Sequence, residues 1–340
     1  MTWVGNSKNR SAKERIMAKA IVLTEYGSSD VMSLQKVDIK TPGAKEILIR
    51  QTAIGVHFHD IYVRSGLYKT LSLPGIPGLE ATGIVEAVGN EVTDFNIGDR
   101  VGYISKKYGA YTSHRILKEK LALKLPESLS DALVATNFSR MITVEMLTKK
   151  VAAVNDAHTV LITAAAGGVG RLLCQKAKSA GARVIGTVST PEKIKVAKNC
   201  GCAHAMLYDQ PDLTNEVMDI TNGEGVDIVF DSVGAKTIQI SISLLGIRGH
   251  LVNFGQSSGA IAPLLMSQLA EKSLSVTRPI LFHYISKIDQ YQKMGVSAFK
   301  SLNDDNLILL NPQEIRLEHV ALAHKQLESG QGGGSLYLIP

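Results

Sequence analysis

The chain is short of cysteine, of aromatic side chains and of long apolar runs, and each shortage excludes something. Its three cysteines, Cys174, Cys200 and Cys202, are an odd number, with two of them one residue apart. That is a poor disulfide framework. It offers no second cysteine pair for a zinc ribbon, and it fits a reducing, cytoplasmic compartment. No apolar run approaches the roughly 20 residues that cross a bilayer. Aromatic residues are 5% of the chain, and the net charge of +6, from 37 Lys and Arg against 31 Asp and Glu, is spread along it. The absence of a basic block with interleaved aromatics argues against nucleic acid as a partner. A mildly basic balance still suits an anionic small molecule.

What is present is an ordinary globular composition, 45% hydrophobic and 20% charged over 340 residues, long enough for two domains. The first sixteen residues, "MTWVGNSKNRSAKERI", are polar and lack the apolar centre of a secretory signal. They are expected to form a disordered, tag-like extension, with Met17 a second candidate start. From Met17 the pattern is strand-rich. "KAIVLTEYG" and "EILIRQTAIGV" are β-branched runs, and Gly78, Gly83, Gly89, Gly98 and Gly102 punctuate the strands that follow. This predicts a compact, barrel-like β domain. After about Leu129 the character changes. "TVLITAAA", "ARVIGTVS", "HAMLY", "GVDIVFDSVG" and "GHLVNFG" read as apolar strands with helical stretches between them. Two of those helices are "GVGRLLCQKAKSAG", closed by Gly181, and "PEKIKVAKNCG", with Pro191 in its first turn. Such alternation predicts a doubly wound parallel sheet, hence an α/β protein. After about Phe282 the helix "HVALAHKQLESG" and the strand "SLYLIP" are expected to return to the β domain, and "GQGGGS" at 330–335 reads as a glycine-rich turn.

The sharpest motif is "LITAAAGGVGRLLCQ". Read as G-x-G-x-x-G, it has Ala165 in the first place, then Gly167 and Gly170, between a strand and a helix. Small residues let the backbone approach a pyrophosphate, and amides at the helix N-terminus stabilise its charge. The expected seat is Ala166, Gly167, Gly168, Val169 and Gly170. A dinucleotide site built for NAD places a carboxylate at the end of the second strand for the ribose hydroxyls. Here that end reads "GTVSTPEK", with Ser189 and Thr190 in its place and Lys193 four residues after Ser189. A hydroxyl and an ammonium suit a 2′-phosphate, which a carboxylate would repel, so NADP(H) is the expected cofactor.

Together "RSGLY", "GLEATGIVEAVG", "GDRVGY", "AAAGGVG", "IGTVST", "VFDSVG", "NFGQSSG", "TRPILFHY" and the terminal "LIP" resemble the zinc-independent quinone oxidoreductases, the zeta-crystallin-like branch of the medium-chain dehydrogenase/reductase superfamily. The resemblance runs from about Met17 to Pro340. It implies a GroES-like β-rich catalytic domain over 17–141 and 283–340, and a Rossmann domain over 142–282. It also implies a homodimer joined through the Rossmann sheets. By the same resemblance Tyr208 contacts the 2′-phosphate, Phe254 and Gly255 line the cofactor, and Thr143 lies near the nicotinamide. Tyr62 and Tyr68 then fall in the wall of the substrate pocket.

The stretch "GVHFHDIYVRSG" tests this resemblance, because His57 and His59 beside Asp60 look like metal ligands. Zinc-dependent relatives use a cysteine near this segment and the histidine of a Gly-His-Glu motif. Here His57 stands at the cysteine's place and the triplet reads Gly78-Leu79-Glu80, and leucine cannot ligate. His57, His59 and Glu80 would make three ligands. Yet histidines two apart point to opposite faces of a strand and do not face each other on a helix. No metal site is expected. His57 stands where the family usually has asparagine facing the nicotinamide. Two readings are open, a group that orients cofactor or substrate and titrates near neutral pH, or a tolerated change at a polar wall. His59 is expected to be a surface or packing residue, and Asp60 a backbone cap or a partner for Arg64.

Tyr62 is the expected catalytic phenol, hydrogen-bonded to an oxygen that gains charge. Tyr68, His57 and Thr143 complete the expected catalytic set. A second departure is "NFSRMITVEML", where Arg140, Met141 and Glu145 replace usual family residues beside the nicotinamide. The function this implies is NADPH-dependent, zinc-independent reduction of quinones. The alternatives are reduction of the carbon–carbon double bond of unsaturated aldehydes and ketones, and a non-catalytic NADPH-binding protein with a regulatory or RNA-binding role.

Overall fold

The computed structural model describes residues 16–330 and 334–340. The expected N-terminal extension therefore lies outside the described residues except for Ile16, which opens the first strand. Residues 331–333 of the glycine-rich turn lie outside them as well.

The N-terminal half is β-rich, as its glycine-punctuated runs predict. β1 (Ile16–Leu23) and β2 (Met32–Ile39) pair antiparallel. β3 (Glu46–Val56) is the centre of a larger sheet. One edge of β3 bonds β4 (Glu80–Val88), which carries β5 (Arg100–Ile104) and then the short β7 (Leu123–Lys124). The other edge is shared. Its first half takes β6 (His114–Lys118), and its second half takes β15 (Leu336–Ile339), with β14 (Gln313–Arg316) parallel beyond. Ile47, Ile49, Ile54 and Val56 are all fully buried, and the polar stretch Arg50-Gln51-Thr52 separates the two apolar ends of β3.

The second sheet is parallel and follows the predicted alternation. β8 (Thr159–Ile162) leads to α3 (Gly168–Ser179), β9 (Arg183–Val188), α4 (Pro191–Asn199) and β10 (His204–Leu207). After α5 (Leu213–Ile220) come β11 (Val226–Asp231), α6 (Ile238–Leu244), β12 (Leu245–Asn253), α7 (Met266–Ala270) and β13 (Ser275–Thr277). Among the described residues the strand order is β10-β9-β8-β11-β12-β13. The order reverses at β8, and ligands of such sheets bind in the crevice at the carboxyl end of that reversal. Side chains alternate along each strand. Val160, Ile162, Ile228 and Phe230 pack with Leu172 and Leu173 of α3 on one face, while Leu161, Ile185 and Val229 pack with Val217 of α5 and Ile242 of α6 on the other.

Three further helices tie the two sheets together: α1 (Phe58–Ser65), α2 (Asp131–Glu145) and α9 (Ile288–Leu302), the last preceded by the short α8 (Leu281–Tyr284). Ser130 caps α2 by accepting from the Leu133 amide at 3.3 Å. Beyond that turn α2 is buried on nearly all sides, through Val134, Phe138, Met141, Ile142 and Val144. It packs on β3 and β4 of one sheet and on α3 and α9 beside the other. The last helix, α10 (Val320–Glu328), lies near α1. Among the described residues no helix is long and apolar enough to cross a membrane.

Candidate active site

His57 leaves β3 in extended conformation (φ −127°, ψ 157°), and α1 starts at the next residue. The Asp60 carboxylate accepts the His57 backbone N–H at 2.9 Å and so caps the helix. That decides between the two expectations for Asp60. Arg64 instead pairs with Glu328 of α10 at 2.5 Å and donates to the Gly27 carbonyl at 3.2 Å. Burial pushes the Asp60 carboxyl up to about 6, against the opposing charge of His57.

The two histidines diverge, as their spacing requires. His57 Nε2 meets Glu80 Oε2 at 2.7 Å, and Glu80, the first residue of β4, is fully buried. The same carboxylate accepts the Ser139 backbone N–H at 3.0 Å and the Ser139 hydroxyl. His59 turns away to the Tyr108 hydroxyl at 3.1 Å, its ring 5.5 Å from that of Tyr68. It is a packing residue, and burial lowers its imidazole to about 4. Among the described residues no three His, Cys, Asp or Glu side chains are grouped to hold an ion.

The expected pocket phenols come together. The Tyr62 and Tyr68 rings lie 5.0 Å apart, against the loop that follows β12. Tyr62 Oη accepts the Gln256 backbone N–H at 3.2 Å. Tyr68 Oη accepts from Gln256 Nε2 at 3.2 Å and from Arg278 Nη2 at 2.7 Å. Burial raises the Tyr62 phenol to about 12, so it stays protonated and remains able to donate. Phe254 and Gly255 sit in the same loop, where Arg278 also donates to the Gly255 carbonyl at 3.2 Å. Thr143 lies one helical turn after Ser139 on α2, half-buried, and its hydroxyl donates to the Ser139 carbonyl at 2.8 Å.

At the reversal of the sheet, β8 ends and Ala164 takes a left-handed conformation (φ +48°), an uncommon one for a residue with a side chain. Ala166 follows, and Gly167 is the N-cap of α3, so the amides of Gly168, Val169 and Gly170 stand free at the helix start. A Cβ on Gly170 would collide with the Ala164 carbonyl oxygen and lie 3.0 Å from Ala165 Cα. The small residues are therefore needed for strand and helix to close this tightly. At the end of β9, Lys193 Nζ donates to Ser189 Oγ at 3.0 Å. The Tyr208 amide donates to the Val188 carbonyl at 3.0 Å, which places Tyr208 beside the same strand end. Residues 188–190 carry no carboxylate. A bare amide cradle for a pyrophosphate, with a hydroxyl and an ammonium one strand away, fits NADP(H) in its donor chemistry.

Several participants had no sequence signal of their own. In the sequence Glu80 stands out only as a candidate third metal ligand, and its contacts depend on β3 pairing with β4. Ser139 and Gln256 are ordinary polar residues until α2 and the loop after β12 are in place. Arg278 lay inside "TRPILFHY", but nothing in that string joined it to Tyr68.

Residues 43–127 match the alcohol dehydrogenase GroES-like domain, and residues 168–297 match the zinc-binding dehydrogenase family. A GroES-like unit followed by a Rossmann unit defines the medium-chain dehydrogenase/reductase class. Within that class the chain is 36% identical over 325 residues to a quinone oxidoreductase of Pseudomonas aeruginosa, covering 95% of this chain and 100% of that one. It is 35% identical over 331 residues to a 2-haloacrylate reductase of a Burkholderia species, covering 95% and 99%. The crystal structure of Escherichia coli quinone oxidoreductase complexed with NADPH matches with a TM-score of 0.90 at 36% identity, over 95% of this chain and 100% of that one. The chain belongs to the quinone oxidoreductase family of this superfamily, the zeta-crystallin-like branch.

Proposed function

We propose that this chain reduces quinones with NADPH and needs no zinc to do so. The observation that carries the reading is the Tyr62 phenol. Its oxygen is held by the Gln256 amide, which leaves its hydrogen for the oxygen of an acceptor in the crevice. Bound NADPH supplies the hydride. The chain supplies binding and orientation. The amides of Gly168, Val169 and Gly170 hold the pyrophosphate, with Ala166 and Gly167 shaping the turn, while Ser189, Lys193 and Tyr208 hold the 2′-phosphate. Phe254, Gly255 and Thr143 line the cofactor. Tyr68, held by Arg278, orients the acceptor beside Tyr62. His57 fills the wall at the nicotinamide end, held by Glu80. That hydrogen bond, with Leu79 where a ligating histidine would stand, supports chemistry without zinc.

The β strands up to β7, joined by β14 and β15, support a catalytic domain of 17–141 and 283–340 around a cofactor domain of 142–282. Copies pair through the β13 edge of the parallel sheet, near which Ile247, Leu265 and Met266 stand exposed, and the protein works in the cytoplasm. The identity to a 2-haloacrylate reductase favours one second reading, hydride addition to an activated carbon–carbon double bond.

A matched oxidation assay over quinones and unsaturated aldehydes, run with NADPH and NADH side by side, tests both. Quinone turnover with NADPH preferred is expected. Faster turnover of the aldehydes moves the assignment to the second reading, and NADPH binding without any turnover overturns both.

A further inference from the structure

We infer that Arg140 carries the positive charge that holds the cofactor's pyrophosphate. This rests on the NADPH reading above and adds the residue that pairs with the diphosphate.

Arg140 projects from α2, which passes over the glycine-rich turn. It is only 7% exposed. Its Nη2 donates to the Gly334 carbonyl, while Nη1 is buried without any hydrogen-bond partner. It makes no ion pair among the described residues, and Glu80 acts on it only through space. The guanidinium lies against Gly168, the first residue of α3. A Cβ built there would stand 2.8 Å from both Arg140 Nη1 and Cζ.

Two positive features are thus side by side. One is a desolvated guanidinium, and the other is the amino end of a 12-residue helix with its free amides and dipole. Without a counter-charge they repel each other, and an unpaired buried cation is costly. A diphosphate resolves both. It gives Nη1 its missing acceptor and presents further oxygens to the amides of Gly168 and Val169. The planar fork of arginine suits this better than lysine would. Arg140 lines a small cleft with Asn137, Gly168 and Arg171, and the Arg171 Nε–H is already committed to the Ala166 carbonyl at 2.7 Å. Arg171 is only partly buried, and of the two only Arg140 has a guanidinium nitrogen buried without a partner among the described residues.

The test is NADPH binding, followed by cofactor fluorescence at fixed ionic strength, in the wild type, Arg140→Gln and Lys193→Ala. Inorganic pyrophosphate and adenosine 2′-monophosphate serve as competing probes. Arg140→Gln is expected to weaken NADPH about 10- to 100-fold. It should also abolish displacement by pyrophosphate and leave adenosine 2′-monophosphate within about twofold, while Lys193→Ala shows the reverse pattern. The cofactor-free melting temperature of Arg140→Gln should hold or rise, because an unpaired buried charge is gone. A structural Arg140 would lower that temperature and leave every Kd unchanged. An Arg140 that plugs the cradle would make NADPH bind tighter on replacement. Either result overturns the inference, as does an equal loss for both probes. Should Arg140→Gln not fold, Arg140→Lys is judged by the same contrast between the probes. A wild type that does not bind NADPH defeats the functional reading itself and takes this inference with it.

Discussion

The Glu80 carboxylate is fully buried and accepts three hydrogen bonds, from His57 Nε2 at 2.7 Å, from the Ser139 amide at 3.0 Å and from the Ser139 hydroxyl. Glu80→Gln keeps the shape and removes the charge. A hydrogen bond to a charged group contributes about 1.5–3 kcal/mol and a neutral one about 1. Turning the His57 contact neutral therefore costs about 0.5–2 kcal/mol, and Ser139 adds to the loss. His57→Asn costs a similar amount, since the shorter amide leaves the carboxylate with one charge-assisted donor fewer. The double variant is expected to cost about 0.5–2 kcal/mol less than the sum of the single ones, because each has already lost what the other removes.

The assay is denaturant unfolding of the cofactor-free protein. Circular dichroism, which reads the backbone, is the probe. The four proteins are compared at one pH, with the Kd for NADPH measured alongside. Additivity within about 0.5 kcal/mol would refute the pairing of His57 with Glu80. A cycle that couples in stability while NADPH affinity stays level would place the pair in the wall of the pocket, as a support for it.

Tyr62→Phe is expected to lower kcat about 10- to 100-fold with the Kd for NADPH within twofold, as befits a donor used on the acceptor's oxygen. Unchanged turnover would remove its role. Asp60 sets a pH dependence of stability. Its folded value of about 6 lies above the 3.8 of the free group, so its stabilising contribution is full below about 3.8 and is lost as pH rises through 6. Between pH 5 and 7.5 the wild type should lose about 1.4 kcal/mol relative to Asp60→Asn, measured by unfolding at both pH values. A constant difference between the two proteins would show that Asp60 does not titrate there.

Legibility followed the range over which each signal acts. The phosphate-binding turn before α3, Pro191 at the start of α4 and the strand from Glu46 to Val56 appear in the structure where their local chemistry predicts them. The helix α2 had no such signature. Buried between two sheets, it shows apolar residues on nearly every side, so no amphipathic stripe marks it. The departures at Arg140 and Glu145 were visible as departures, but their surroundings were not. Glu145 accepts from Ser301 of α9 at 3.0 Å, a partner 156 residues away.

The sequence by itself determined the element types, the strand–helix alternation, the phosphate-binding turn and the missing acid at the end of β9. All of these are set by neighbours within a few residues. Only the tertiary structure decided that His57 meets Glu80, that Tyr62 and Tyr68 meet Gln256 and Arg278, and that an unpaired Arg140 faces the start of α3. Those contacts join separate strands, helices and loops. They exist because the packing of α1, α2 and the loop after β12 brings together side chains whose spacing in the chain carries no trace of one another.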